Sequence, residues 1–420
     1  MKIIHKDLGS FRLHFIKTEK FKTVTVKVIF HTPIKKEEIT KRNILLDLLL
    51  QSSMNYKSRR DLTIKAEELY SVDIYTNNQR LGNYMVTSMN MEVLNDKFTE
   101  EDNVEKAIAF FSEIIFFPDC ENKSFQKDKL ELVKKNTKIA LESIKEEPSN
   151  YAMIRMNEVF QPNSKLSYRM MGYIDDLDNI TEKNVYSSYQ DMIQNDLVDI
   201  FVAGDFDDKK MLSIIKKYFK FKMIKKNKGP YTLGEYKIRR KILVEKEESL
   251  NSQSRLVLAC PFNKLTYREI NFVLPIANII LGGGVDSRLF QEAREKYSLC
   301  YSIHSFVNRL DHLLVITSGI DKDNYPKMIA IIEDILGDLK KGRITNKEID
   351  VARECYYSSL EEIEESSERL CYQCFFEEVL GIPKIEERRR GVEKVTKQEL
   401  CKFFKKLKID TIFFLEGRKE

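Results

Sequence analysis

Arg294 and Tyr301 lie seven residues apart in the run LGGGVDSRLFQEAREKYSLCYSIHSF, Leu281 to Phe306. A guanidinium offers a planar fork of donors and a phenol offers one more, so together they suit a site that grips an anion or developing negative charge. The run that carries them reads as half of an active site. Gly282, Gly283 and Gly284 near its start permit a tight backbone path and are candidate substrate-binding positions. They lack the spacing of a phosphate-cradling loop. The five histidines, His5, His14, His31, His304 and His312, include no pair at i, i+4, and neither HxxEH nor HExxH occurs. His304 and His312 read as structural or solvent-facing. No nucleophile elbow accompanies them, which argues against a self-sufficient serine or cysteine hydrolase. Cys371 and Cys374 form the one CxxC, CYQC, with no second pair to complete a zinc site, and on a helix they read as core.

The elements that must position Arg294 and Tyr301 follow from the apolar spacing. An apolar helix, INFVLPIANIIL, ends at the glycines, and Asp286 or Ser287 can cap the next helix. On that helix Leu289, Phe290 and Ala293 form the inward stripe, with Arg294 one residue off it near the C-terminal turn. Tyr301 opens the alternating strand CYSIHSFV. A helix end and the strand start that follows can converge on one point.

The same arrangement occurs earlier in the chain. The segment from Asp61, DLTIKAEELYSVDIYTNNQRLGNYMVTSMNM, aligns without a gap under the segment from Arg288, matching Leu62 with Leu289, Ala66 with Ala293, Tyr70 with Tyr297 and Ser71 with Ser298. Farther on, TKIALESIKEE from Thr137 matches YYSSLEEIEES from Tyr356 after a small shift. A strand at Leu197 to Ala203, a cap at Asp207 or Asp208 and a closing helix end the first half; SRLVLACPF, Ser254 to Phe262, opens the second. The expected fold is therefore α+β, with two homologous domains in a clamshell arrangement, each a mainly antiparallel sheet with helices packed on one face. The domains are placed at residues 1–228 and 241–420, joined by a linker at 229–240 where lysines and Gly229-Pro230 interrupt any periodicity.

Composition narrows the function classes. Across 420 residues, 42% hydrophobic, the chain can bury a large core in two or more domains. Lys+Arg 70 against Asp+Glu 65 leaves a formal +5, too even for a dedicated nucleic-acid binder. The lysines of Lys209 to Lys228 interleave with apolar residues at helical spacing and read as a solvated helix face. Neither a signal-peptide core nor a stretch approaching ~20 apolar residues is found, so a cytoplasmic location without a membrane span is expected. Seven scattered cysteines read as buried free thiols of a reducing compartment.

The run LGGGVDSRLFQEAREKYSLCYSI closely resembles the second-domain signature of the M16 (pitrilysin-like, mitochondrial-processing-peptidase-like) zinc metallopeptidases. VAGDFDDKKMLSIIKKYF and IALESIKEEPSNYAMIRMNEVF resemble first-domain segments of the same family. The resemblance implies that Arg294 and Tyr301 are the family's Arg/Tyr pair, which binds the substrate backbone and stabilises the oxyanion opposite a zinc held by the other domain. It also implies an inverted His-x-x-Glu-His on a first-domain helix, with a Glu about 75 residues on as third ligand. Here that helix is TKRNILLDLLLQSSMNYKSRRDL, without a histidine; the pentad falls within Leu46 to Leu50, and Asn136 stands where the distal Glu is expected, with Glu131 and Glu142 nearby. Without ligands there is no Lewis acid and no activated water. The resemblance thus implies a zinc-less subunit with no cofactor of its own, lending Arg294 and Tyr301 to a partner that carries HxxEH and zinc and acts on peptides. A catalytically silent scaffold subunit is the alternative.

Overall fold

The structure, a computed structural model, describes residues 2–222, 231 and 236–418. Residues 223–228 of the lysine-rich stretch, and half of the expected 229–240 linker, lie outside the described residues. In chain order, β1 (Lys2–Asp7), β2 (Arg12–Lys17) and β3 (Thr23–Pro33) lead to α1 (Lys36–Leu49), α2 (Arg59–Glu68), β4 (Asp73–Leu81), β5 (Tyr84–Leu94) and α3 (Asn103–Phe116). A short ribbon, β6 (Cys120–Glu121) and β7 (Ser124–Phe125), precedes α4 (Lys127–Glu142), α5 (Pro148–Phe160), α6 (Glu182–Asn195), β8 (Leu197–Gly204) and α7 (Asp208–Tyr218). The second run holds β9 (Leu243–Glu248), β10 (Ser254–Pro261), α8 (Leu274–Gly282), β11 (Cys300–Asn308), β12 (Leu313–Ile320) and α9 (Tyr325–Lys340). It closes with α10 (Asn346–Glu364), α11 (Ser367–Leu380), α12 (Ile385–Glu393), α13 (Lys397–Lys406) and β13 (Thr411–Glu416).

The duplication is written in the strand orders. The first sheet runs β1-β2-β8-β3-β5-β4 and the second β11-β12-β10-β13-β9. Set β1 aside and the two are the same sheet, each with one parallel pair, β2 with β8 and β13 with β9, among antiparallel neighbours. Local chemistry sets the element ends. Asp207 caps α7 by accepting from the N–H groups of Lys209 and Lys210 at 3.0 and 2.8 Å, and reciprocal capping boxes open α2 (Ser58 and Asp61) and α13 (Thr396 and Glu399). Lysines 209, 210, 216 and 217 of α7 lie on the face opposite buried Met211, Ile214 and Ile215, as helical spacing predicts.

The compact units are not contiguous halves of the chain. One comprises Met1–Glu142, Arg169–Pro230 and Ile363–Leu380; the other comprises Ser143–Tyr168, Tyr231–Glu362 and Gly381–Glu420. Equivalent helices have therefore been exchanged. α11, from the second half, covers the first sheet, where Lys27 of β3 is fully buried, 3.1 Å from Glu368 and 3.7 Å over the Tyr372 ring, and Phe375 packs on His31. α5, from the first half, covers the second sheet: Ala152, Met156 and Phe160 pack with Val257, Ala259, Val315, Phe413 and Leu415. Arg155 and Tyr151 of α5 bond Glu247 of β9 at 2.7 and 2.9 Å. The other sheet faces meet helices from their own half, as Phe30 does through Phe221 to Phe116 of α3, and Phe414 with Tyr325 of α9. Alternation along β3 and β13 thus buries both faces, which explains strands with near-continuous apolar runs.

Among the described residues no helix is long and apolar enough to cross a membrane. All seven cysteines are unbridged: Cys260, Cys371 and Cys374 are buried, Cys120, Cys300 and Cys401 half-buried, and Cys355 exposed.

Candidate functional site

In the second unit the helix that carries Arg294 is not a regular α-helix. Residues Phe290–Lys296 form π turns, and the Tyr297 N–H reaches back five residues to the Glu292 carbonyl at 3.1 Å. Leu289 and Ala293 are fully buried as the inward stripe, anchoring the turn. The Ser298 N–H then bonds the Arg294 carbonyl at 3.0 Å and Leu299 N–H bonds Ala293 at 2.9 Å, folding the chain into β11. The first unit repeats this closure: Ser71 N–H reaches Glu67 at 3.4 Å and Val72 N–H reaches Ala66 at 3.0 Å. Glu67 is therefore the structural counterpart of Arg294; Ile74, matched to Tyr301 by sequence, pairs regularly with Met91, whereas a bulge between Cys300 and Ser302 leaves Tyr301 out of the ladder.

Arg294 and Tyr301 line one depression of about 470 Å³, with Gln253, Ser298, Cys300 and Asp321. Tyr301 is 84% exposed, and the Arg294 guanidinium lies 4.6 Å over the Phe290 ring and 3.7 Å from Glu295. Two donors thus face solvent from one concave surface. Burial raises the Cys300 thiol, with Ser318 and Arg294 opposing, so the cysteine beside them is a poor nucleophile.

The glycine run sits elsewhere. Gly282 is buried at the end of α8, where a Cβ would meet Leu289 Cδ1 and the Ser305 backbone nitrogen at 2.8 Å; its need is close packing of helix on strand. Gly283 is exposed, and Gly284 lines a separate cleft of about 770 Å³ with Arg288, Glu292 and Glu348. None of the three lines the depression of Arg294 and Tyr301. Gly282→Ala is expected to cost about 1–3 kcal/mol in urea unfolding. Gly284→Ala, whose Cβ would meet nothing within 4 Å, is expected to be near neutral. Equal effects at both positions would contradict the packing account.

In the first unit α1 lines a depression with residues that only partly overlap the expected Leu46 to Leu50. Leu48 and Leu49 are core, and the α1 residues that line a depression of about 450 Å³ are Asn43, Leu46 and Asp47, facing Asn136, Thr137 and Ala140 of α4. Positions 43, 46 and 47 have the i, i+3, i+4 spacing of His-x-x-Glu-His, and only Leu46 and Asp47 of them fall within Leu46 to Leu50. The expected meeting of this helix with Asn136 is observed. No ligand set remains there. The Asn43 amide donates to the Met170 carbonyl at 2.7 Å and accepts from Asn78 at 2.8 Å, while burial raises the Asp47 carboxyl with Arg59 opposing. An amide, an aliphatic side chain and one carboxyl hold no zinc of the family's kind. His304 is exposed on β11, and His312 makes a left-handed turn whose carbonyl accepts from the Phe262 N–H at 2.9 Å.

Residues 179–355 match the family model described as the peptidase M16 inactive domain. The "Probable inactive metalloprotease YmfF" of Bacillus subtilis (strain 168) is 28% identical over 421 residues, covering 97% of this chain and 96% of that protein. The "Uncharacterized zinc protease YmxG" of the same organism is 27% identical over 234 residues, 54% of this chain and 56% of that protein. Among solved structures, a conserved protein from Enterococcus faecalis V583 superposes with a TM-score of 0.91 at 28% identity, covering all of both chains. The peptidase M16 inactive domain from Pseudomonas fluorescens shares the fold, with a TM-score of 0.80 at 17% identity over 100% of this chain and 99% of that one. Over residues 179–355 the chain is thus similar to the peptidase M16 inactive domain, and over nearly its whole length to a probable inactive metalloprotease; neither HxxEH nor HExxH occurs in its sequence.

Proposed function

We propose that the chain is the zinc-less subunit of a two-component M16-type metallopeptidase, lending Arg294 and Tyr301 to peptide binding and oxyanion stabilisation in a partner's site. The observation that carries this reading is an asymmetry between equivalent positions. The donor pair is kept on an exposed concave surface, while Asn43, Leu46, Asp47 and Asn136 stand where the zinc ligands would be. A guanidinium fork grips a peptide carbonyl or carboxylate, and the phenol donates to the oxygen on which charge develops; together they suit acyl transfer driven by a metal-bound water held elsewhere. The partner is an HxxEH-bearing paralogue, the substrates are unfolded peptides, and the pair acts in the cytoplasm. A silent assembly subunit is the second reading. The contact of Arg294 with its own Phe290 and Glu295 favours it, since the guanidinium already has neighbours.

Co-expression with each HxxEH paralogue of the same genome tests the proposal. A stable heterodimer is expected that cleaves unstructured peptides, whereas this chain alone cleaves none. Activity should vanish when the partner's HxxEH is mutated. A chain that stays monomeric beside every paralogue overturns it.

A further inference from the structure

A hairpin at the start of the chain and a helix some 360 residues on bring two imidazoles and a thiol together in the first unit. β1 pairs with β2 so that His5 stands opposite His14, and their Nδ1 atoms are 2.8 Å apart. α11 covers this corner of the sheet and places Cys374 beside them, with Glu378 one turn on. One nitrogen of each ring and the Cys374 sulfur lie within 4.8 Å of one another.

The outer nitrogens of both rings are held by carboxylates. His14 Nε2 is 2.8 Å from Asp199 Oδ1 on β8, and His5 Nε2 is 3.2 Å from Glu378 Oε1. An imidazole that gives its Nε2 proton to a carboxylate turns a bare Nδ1 lone pair inward. With one ring doubly protonated the 2.8 Å gap is an N–H···N hydrogen bond; with both Nδ1 atoms deprotonated, the two lone pairs converge on a place for a cation. Carboxylate-oriented imidazole is also how proteins fix metal-binding histidines. We propose that His5, His14 and Cys374 form a zinc(II) site, separate from the α1 position and independent of the proposed function.

The donor set fits. Two imidazoles and a thiolate suit a borderline-soft ion such as zinc. Tetrahedral zinc with bonds of about 2.0–2.1 Å to nitrogen and about 2.3 Å to sulfur separates its ligand atoms by roughly 3.3–3.6 Å. The histidine pair must open by about half an ångström and the sulfur close in. His5, on the edge strand with a side chain 37% exposed, has room to move, and solvent on that side supplies the fourth ligand. Cys374 releases its proton to solvent as the sulfur–metal bond forms. Burial raises its thiol, so the metal-free cysteine is protonated and chemically quiet. The bound ion would tie β1 and β2 to α11, across some 360 residues of chain, and add the constraint of a closed loop.

The test uses the full chain without a metal-affinity tag, stripped with chelator and titrated with cobalt(II) and then zinc(II). Expected is about one equivalent of cobalt with thiolate charge-transfer absorption and a tetrahedral ligand-field band, displaced by zinc, with a rise in Tm. His5→Ala and Cys374→Ala should each weaken binding at least tenfold and bleach the charge-transfer band. His5 is on an edge strand, so its variant keeps the test valid even if Cys374→Ala unfolds. His304→Ala should bind as the parent chain does. Absence of the thiolate band, or full binding in His5→Ala, overturns the proposal.

Discussion

Tyr301→Phe in the assembled complex is expected to lower kcat roughly ten- to a thousandfold while leaving assembly and Tm unchanged. The side chain is 84% exposed, so losing its hydroxyl disturbs no packing; what disappears is one donor. A donor that acts only on the developing oxyanion stabilises the transition state and not the bound peptide, so kcat falls while KM holds. Arg294→Lys should also slow turnover, because an ammonium cannot reproduce a planar fork of donors. Its loss should appear in kcat/KM if the guanidinium also grips the peptide backbone. Conservative changes at Glu67 and Ile74, the residues matched to Arg294 and Tyr301 by the internal alignment, serve as controls that should keep turnover. Wild-type kcat in both Tyr301→Phe and Arg294→Lys, with the complex intact, would leave the silent-scaffold reading standing.

What the sequence disclosed, and what it withheld, follows from the range of the interactions involved. Leu289, Ala293, Tyr297 and Ser298 align without a gap on Leu62, Ala66, Tyr70 and Ser71, because one local turn with its own backbone bonds is used twice. The convergence of Arg294 and Tyr301 was legible for the same reason: seven residues of helix end and strand start allow few other geometries. The π turns were not legible, since an i to i+5 bond leaves no mark on an apolar stripe. Nor was the exchange of α5 and α11, because an amphipathic helix records that it is covered and not by which sheet. Which residues of α1 line the depression was not legible either, because α1 buries Ile44, Leu45, Leu46, Leu48 and Leu49 around much of its circumference, so no polar stripe marks a face. The glycines before Arg294 looked like an approach for substrate, while the steric demand at Gly282 comes from Ser305, more than twenty residues on. CYQC was weighed against a second cysteine pair, and the neighbours of Cys374 are histidines near the other end of the chain.

Asp199→Asn is expected to destabilise the protein by about 3–5 kcal/mol, lowering Tm by on the order of 10 °C. The carboxylate is fully buried on β8 and receives Arg12 at 2.6 Å, His14 at 2.8 Å and His31 at 2.8 Å from the two strands that flank it. Burial alone would raise its pKa; the hydrogen bonds from His14 and His31 and the charge of Arg12 outweigh that, and the carboxyl is held well below its usual 3.8. Asparagine keeps the shape but removes the anion, and its amide must turn a donor toward one of three groups that now donate. The sign of the pH dependence follows from the lowered pKa. A group whose folded pKa lies below its unfolded value contributes stability in full above the unfolded value, about 4, and loses it as the pH falls toward the folded one. The difference in Tm between parent and variant should therefore be complete at neutral pH and shrink only below about pH 4. A gap under 1 kcal/mol at pH 7, or one that stays constant down to pH 2, would show that the carboxylate fills space without anchoring the strands. The same substitution also removes the group that orients His14, so cobalt affinity should fall roughly ten- to a hundredfold even in the fraction that remains folded.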